Sequence, residues 1–253
     1  MSGEIAVQDK VAYISGGTSG INLGIARHFA DLGASVMVFG RDAAKSAAAA
    51  ETLRPKAKGR MLGLAADVRD HAAVAGIFAQ AAAELGPPDI VIAGAAGNFP
   101  APAAKLSANG FKAVVDIDLM GTFNTFRAGY DLIRRPGVMI AISAPQGTRP
   151  RLLQSHVCAA KAGVNMLVKC LAMEWGPENI RVTGISPGPI EGTEGVARLA
   201  ATPEMKAAWV DRQPLRRMGN LADIAQLAAY MVSPAASFMT GAIVPCDGGS
   251  ELA

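Results

Sequence analysis

Short apolar runs alternate along the chain with longer stretches in which alanine and polar residues recur at helical spacing. The runs are VAYIS at 11–15, SVMVFG at 35–40, MLGLAADV at 61–68, DIVIAGA at 89–95, GVMIAIS at 137–143, RVTGIS at 181–186 and AIVPC at 242–246. Most are nearly continuous in apolar residues, as strands covered on both faces are. Between them lie helical segments such as DAAKSAAAAETL at 42–53, which is low in complexity but reads as a plain surface helix because alanine is the best helix former. This rhythm predicts an α/β fold, a doubly wound parallel sheet with right-handed crossovers. No repeat or linker interrupts it, so residues 1–253 read as a single domain.

One segment breaks the rhythm. Around residues 188–213 a Gly/Pro-rich loop, within SPGPIEGTEG at 186–195, is followed by a helical PEMKAAWVDR. A loop and short helix after a strand's C-terminal end can form a mobile lid over a ligand. An ordered crossover fits the same residues.

The chain has 253 residues, enough for a sizeable core, with 51% hydrophobic and 18% charged residues. A net charge of +3 without a Lys/Arg run argues against a nucleic-acid partner and suits an anionic ligand such as a nucleotide or acyl-CoA. Cys158, Cys170 and Cys246 are odd in number and lack metal-ligand spacing, so free thiols in a reducing, cytoplasmic setting are expected. Cys158 could do thiol chemistry or could simply be small and buried. No His/Cys/Asp cluster has the spacing of a metal site, so no metal is expected. The N-terminal MSGEIAVQDK is too polar for a signal peptide, SELA at the C-terminus is not of the peroxisomal S-K-L type, and no apolar run reaches the roughly 18 residues of a membrane span.

The first strand leads into YISGGTSGINLG at 13–24. Gly16 allows a tight turn and close approach of a phosphate, and Gly20 lets the next helix start against the strand. Thr18, Ser19 and Ile21 share this turn, whose helix N-terminus offers free N–H groups to a pyrophosphate. The second strand ends in FGRD. Arg41 there suits the 2′-phosphate of NADP(H), where a carboxylate would suit the ribose of NAD. Asp42 follows directly, and a loop-capping arginine facing solvent remains the alternative. Asp67, at the end of the third run beside Val68, is placed to accept from an adenine amino group.

These residues resemble the short-chain dehydrogenase/reductase family: the turn at Gly16 and Gly20, ADV at 66–68, Lys161, SPGPI at 186–190 and DGG at 247–249. Within it, AAGNF at 95–99, VVDIDLMGTFN at 114–124, AMEWGPENIRV at 172–182 and SPGPIEGTEG at 186–195 are similar to 2,4-dienoyl-CoA reductases, the peroxisomal type nearest. The resemblance implies cofactor contacts from Ala95, Lys161, Pro187, Gly188 and Ile190. It also implies acyl-CoA contacts from Arg69, Phe99 and Arg198; for the two arginines, solvated surface is the alternative. Subunits of this family commonly associate, and the small residues VCAAKAG opening the helix at 155–175 suit close packing in a homodimer or homotetramer.

Departures from the family pattern bear on chemistry. The tyrosine four residues before Lys161 is Val157, the catalytic serine falls on Ala144, and the tetrad's asparagine falls on Asp118. The third glycine of the turn is Asn22, and the asparagine-rich segment after the fourth strand reads AGAA at 93–96. Without the serine and tyrosine, direct protonation of an alkoxide is a poor expectation. Reduction of a dienoyl thioester needs only donors for an enolate oxygen and a proton at carbon. By resemblance, Lys161 holds the nicotinamide ribose and Asp118 belongs to the proton relay. A carboxylate beside an ammonium is ordinarily ionised, so Asp118 more naturally orients a water than gives up its own proton. A buried structural ion pair is the alternative. His156 neighbours Val157 but points about 100° around the helix from it, which favours a helix-start role over an acid. Another NADP(H)-dependent reductase and a non-catalytic NADP(H)-binding protein are the competing expectations.

Overall fold

The computed structural model describes residues 7–54, 57–200 and 202–252. Its seven strands form one parallel sheet in the order β3-β2-β1-β4-β5-β6-β7. They are β1 (Val11–Ser15), β2 (Ser35–Gly40), β3 (Met61–Ala65), β4 (Ile90–Ala93), β5 (Gly137–Ile142), β6 (Ile180–Pro187) and β7 (Ile243–Cys246). The order reverses between β1 and β4, which opens a crevice at their carboxyl ends where such sheets take ligands.

The near-continuous apolar runs have their reason in two cores. Ala12 and Ile14 of β1 pack with α1 (Gly20–Asp31), α2 (Ala43–Leu53) and α9 (Leu221–Val232) through Ile25, Phe29, Leu53 and Ile224. Val11 and Tyr13 face the other way, to α3 (His71–Leu85), α5 (Gly121–Tyr130) and α6 (Ser155–Trp175) through Phe78, Phe126 and Val164. At the far end of the sheet, buried Asp89 accepts from Val11 N–H and pairs with Lys10 and Arg134, which ties β1 to β4 away from the crevice.

β3 and β4 each fall three residues short of their apolar runs. The third run was expected to span 61–68, but the strand ends at Ala65, and Asp67 instead begins a turn that accepts from Asp70 N–H. The fourth was expected over 89–95 but covers 90–93, because Gly94 and Ala95 donate to the side-chain Oγ of Ser15 rather than to a backbone carbonyl of a neighbouring strand.

The helix after β4 is continuous but not uniform. α4 (Ala108–Val115) passes through a π-helical turn, Asp116–Met120, into α5. Single π turns often mark functional positions, and this one carries Asp118 into the interior. The segment expected as a lid contains α7 (Glu194–Leu199) and α8 (Pro203–Arg212), joined back to the body where Ile190 bridges Gly219.

Candidate active site

The turn after β1 is built for close approach. Gly16 has φ +64°, and a Cβ there would lie 2.9 Å from the backbone of Ala95. Gly20, at φ +55°, opens α1. Ser19 caps that helix in an extended conformation without a side-chain hydrogen bond, so first-turn N–H groups remain for an anion. Thr18 lies against Gly40, and Gly188 presses on the backbone of Asp247, where a Cβ would lie 2.6 Å from Asp247 Cα. Ile190 and Val68 are buried beside these loops, and Ile21 is half-buried on the core. This cradle of bare backbone and free N–H groups fits a nicotinamide dinucleotide.

At the far end of the turn, Arg41 is exposed, and Asp42 caps α2 by accepting from Lys45 N–H. Asp67 is expected at the adenine and Arg69 separately at the acyl carrier. The structure joins them: Arg69 Nε lies 3.0 Å from both carboxylate oxygens of Asp67, and Nη2 lies 2.6 Å from Oδ2. That guanidinium, with Arg41 adding charge, holds the Asp67 carboxyl below its ordinary range.

Deeper in the crevice, Asp118 is 1% exposed and Lys161 5%. Gly97 N–H donates to Asp118 Oδ1 at 2.7 Å, and Lys161 Nζ sits 3.3 Å from Oδ2. The latter contact is an ion pair without hydrogen-bond alignment, so Oδ2 still has acceptor capacity. Lys161 Nζ also donates to Ile142 O at 2.9 Å, which leaves two of its three N–H groups without a hydrogen-bond partner. The arrangement is a fixed cation beside a fixed carboxylate, suited to holding an oxygen anion and ordering a water.

The positions of the usual hydroxyls are apolar. Val157 is buried against Val114 and Ala160, and Ala144 opens the turn at Pro145–Gly147. The neighbouring hydroxyl, Ser143, donates to Asn165 Oδ1 and is spent there.

His156 stands in the first turn of α6, where a helix-start position is expected. It is fully buried, its ring lies 4.6 Å from that of Phe99, and neither ring nitrogen has a protein partner. Phe99 is partly exposed and stands at the crevice edge. Arg198 of α7 pairs with Glu194 and donates to Asn98 O at 3.3 Å, so α7 touches the loop that carries Phe99.

Sequence reasoning missed a chain of amides. Gln146 donates to Gln154 Oε1 at 2.9 Å, and Gln154 donates to Asn98 Oδ1 at 3.3 Å. Asn98 is thus joined to Gln154 across 56 residues and through it to Gln146, with no spacing to announce the chain. Of the cysteines, Cys246 has its thiol pushed up by burial and by Asp223 and Asp247. Among the described residues no group of three or more His, Cys, Asp or Glu is placed to hold a metal ion, and no helix is long and apolar enough to cross a membrane.

Comparison with known proteins places these features. A family model described as enoyl-(acyl carrier protein) reductase matches residues 16–251. The chain is 44% identical to a peroxisomal 2,4-dienoyl-CoA reductase [(3E)-enoyl-CoA-producing] of Pongo abelii, over 97% of this chain and 85% of that one. It is 36% identical to a Bacillus subtilis protein named "Probable 2,4-dienoyl-CoA reductase [(2E)-enoyl-CoA-producing]", over 97% and 98% of the two chains. A crystal structure of a short chain dehydrogenase from Bacillus anthracis superposes with a TM-score of 0.87 at 35% identity, covering 98% of this chain and 99% of that one.

Proposed function

The chain belongs to the short-chain dehydrogenase/reductase family of oxidoreductases, and from that premise we propose that it is an NADPH-dependent 2,4-dienoyl-CoA reductase producing a 3-enoyl-CoA in the degradation of unsaturated acyl chains. The observation that carries the reading is the buried Asp118–Lys161 pair, standing where Val157 and Ala144 leave no hydroxyl acid. A carbonyl reductase must protonate an oxygen as hydride arrives, and this centre offers no hydroxyl for that. A dienoyl thioester spreads the incoming charge to its own carbonyl oxygen and takes its proton at carbon.

A reduced nicotinamide, when bound, supplies the hydride to the δ carbon. The cradle at Gly16, Thr18, Ser19, Gly20 and Ile21 takes the pyrophosphate, with Ala95, Pro187, Gly188 and Ile190 around the nicotinamide half and Asp67 and Val68 toward the adenine. Arg41 takes the 2′-phosphate, which favours NADPH over NADH. Lys161 steadies the ribose and places positive charge near the dienolate oxygen. Asp118 accepts from a water through its open Oδ2 and holds it over the α carbon. Protonation there leaves the remaining double bond between the β and γ carbons. Protonation at the γ carbon would leave it between α and β, as in the Bacillus subtilis relative's name, so the position of this water decides the product.

Phe99 covers the acyl end, and Arg69 and Arg198 are assigned to the CoA phosphates. The Arg198–Asn98 contact supports α7 and α8 as a lid over the thioester. Met166 and Met173 project from α6 and Phe123 from α5, apolar and exposed, and we assign that face to the interface of a homo-oligomer, a tetramer in our reading. The three free thiols support a reducing compartment, which we take to be the cytoplasm.

The test is an assay with NADPH and a medium-chain 2,4-dienoyl-CoA, with NADH, a 2-enoyl-CoA and a 3-ketoacyl-CoA in parallel. Turnover of the dienoyl thioester with NADPH, well above the others, supports the reading. Preference for the ketoacyl substrate, or cofactor binding without turnover of any thioester, overturns it.

A further inference from the structure

Asn22 sits in the first turn of α1, 6% exposed. Its Nδ2 donates to Gly94 O at 2.8 Å. That acceptor fixes the amide's orientation, because only the NH2 end can face a carbonyl. The other end, Oδ1, is then buried without a protein partner. Leaving an acceptor so placed is costly, and a smaller apolar residue would avoid the cost. Something other than stability alone accounts for an amide at this position.

Gly94 is the matching half. A Cβ there would lie 2.3 Å from Asn22 Oδ1 and 2.4 Å from Nδ2. The asparagine therefore occupies the space any side chain at 94 would need. From the opposite side, Ser15 Oγ accepts from Gly94 N–H at 2.9 Å and Ala95 N–H at 3.3 Å, and Gly16 lies against the same backbone. The end of β4 is thus gripped between the phosphate-binding turn and the helix that follows it. Three residues on, Gly97 N–H reaches Asp118 Oδ1.

We infer that Asn22 and Gly94 form one coupled clamp, in which Asn22 is the positioning residue that sets the 94–97 segment against the dinucleotide turn. In the family pattern above, a glycine stands at 22 and asparagines stand in the 93–96 segment. Here the amide has moved to the other side of the same gap. The two departures are one exchange, and neither half works with its partner reverted. The inference rests on dinucleotide binding at this turn and not on the choice of acyl substrate.

The experiment is a titration of NADPH by fluorescence, together with urea unfolding of the unliganded protein, on Asn22→Gly, Gly94→Ala and the two combined. Asn22→Gly is expected to raise the NADPH Kd by about ten-fold, the effect of one hydrogen bond at the strong end of its range. Gly94→Ala is expected to raise it by at least that much, because its methyl displaces the amide. The decisive arm is the combination: removing the Asn22 side chain makes room for the methyl, so the double variant binds more tightly than Gly94→Ala alone. Should Gly94→Ala fail to fold, recovery of folding and binding in the double variant is the same rescue.

The clamp is overturned if the two substitutions add independently, or if Gly94→Ala binds like the parent. It is also overturned if the variants shift only the urea midpoint and leave Kd unmoved, which is the mark of a merely structural role. A parent chain that binds neither NADPH nor NADH would sink the cofactor reading instead, and the same titration shows that directly.

Discussion

Asp118 and Lys161 meet across 3.3 Å inside the protein, the carboxylate held by Gly97 N–H and the ammonium by Ile142 O. Each is fixed by backbone, so neither needs the other to hold its place. Asp118→Asn keeps an acceptor for Gly97, removes the charge and replaces the open Oδ2 acceptor with an NH2 donor. It is expected to lower kcat by about a hundred-fold or more, the range for a lost acid–base group, and to lower stability as well, because the buried Lys161 ammonium loses its counter-charge. Lys161→Met removes the cation and leaves a buried carboxylate, a change that costs about 3–5 kcal/mol when a buried pair is broken. Steady-state kinetics and denaturant unfolding on both variants separate the two effects.

Restoring the family's tyrosine should not restore its usual chemistry. Val157 is packed against Val114 and Ala160. A phenol there overfills the cluster, at about 1–3 kcal/mol, and Ala144 supplies no hydroxyl to assist it. Val157→Tyr is expected to unfold at lower denaturant and to reduce no 3-ketoacyl-CoA. Ketone reduction by this variant at a rate near that of dienoyl reduction would contradict the account.

Arg41 should decide between cofactors. It is exposed and lies near Asp67, whose own charge is already taken by Arg69. Losing a charged hydrogen bond to phosphate is worth about 1.5–3 kcal/mol. Arg41→Ala is therefore expected to weaken NADPH by roughly ten- to a hundred-fold and to leave NADH nearly unchanged, as read by parallel titrations.

Asp223 gives a pH dependence whose sign is fixed. It closes a capping box with Asn220 at the start of α9 and pairs with Arg217, and these hold its carboxyl below the ordinary value. A carboxyl depressed on folding adds stability above its unfolded value, and that stability is lost as pH falls through the folded one. Asp223→Asn is expected to be less stable than the parent at neutral pH. The gap should close in acid, below the ordinary aspartate value, and a gap that widened there would refute the assignment.

The sheet was legible because its strands face two cores, and Val11 through Ser15 are apolar or small on both sides. The misjudged ends have one cause. Residues 66–68 and 94–95 are apolar enough to extend a strand, yet they leave it to bind Ser15 and to form the turn at Asp67. Hydropathy does not register where a ladder stops. At the site, Asp118 and Lys161 were readable only through resemblance, since nothing in the spacing brings a residue of α4–α5 to one of α6. Asn22 and the AGAA segment read as two separate defects because their contact spans 72 residues. His156 does stand at a helix start, but the tilted contact of its ring with Phe99 is a tertiary event with no local signal.

The most direct test of the central claim is turnover in D2O with NADPH and a 2,4-dienoyl-CoA, followed by NMR of the product. The account predicts a 3-enoyl-CoA carrying one solvent deuterium at the α carbon, and loss of that product in Asp118→Asn. A 2-enoyl product labelled at the γ carbon, or a dienoyl thioester left unchanged beside intact NADPH, would contradict it.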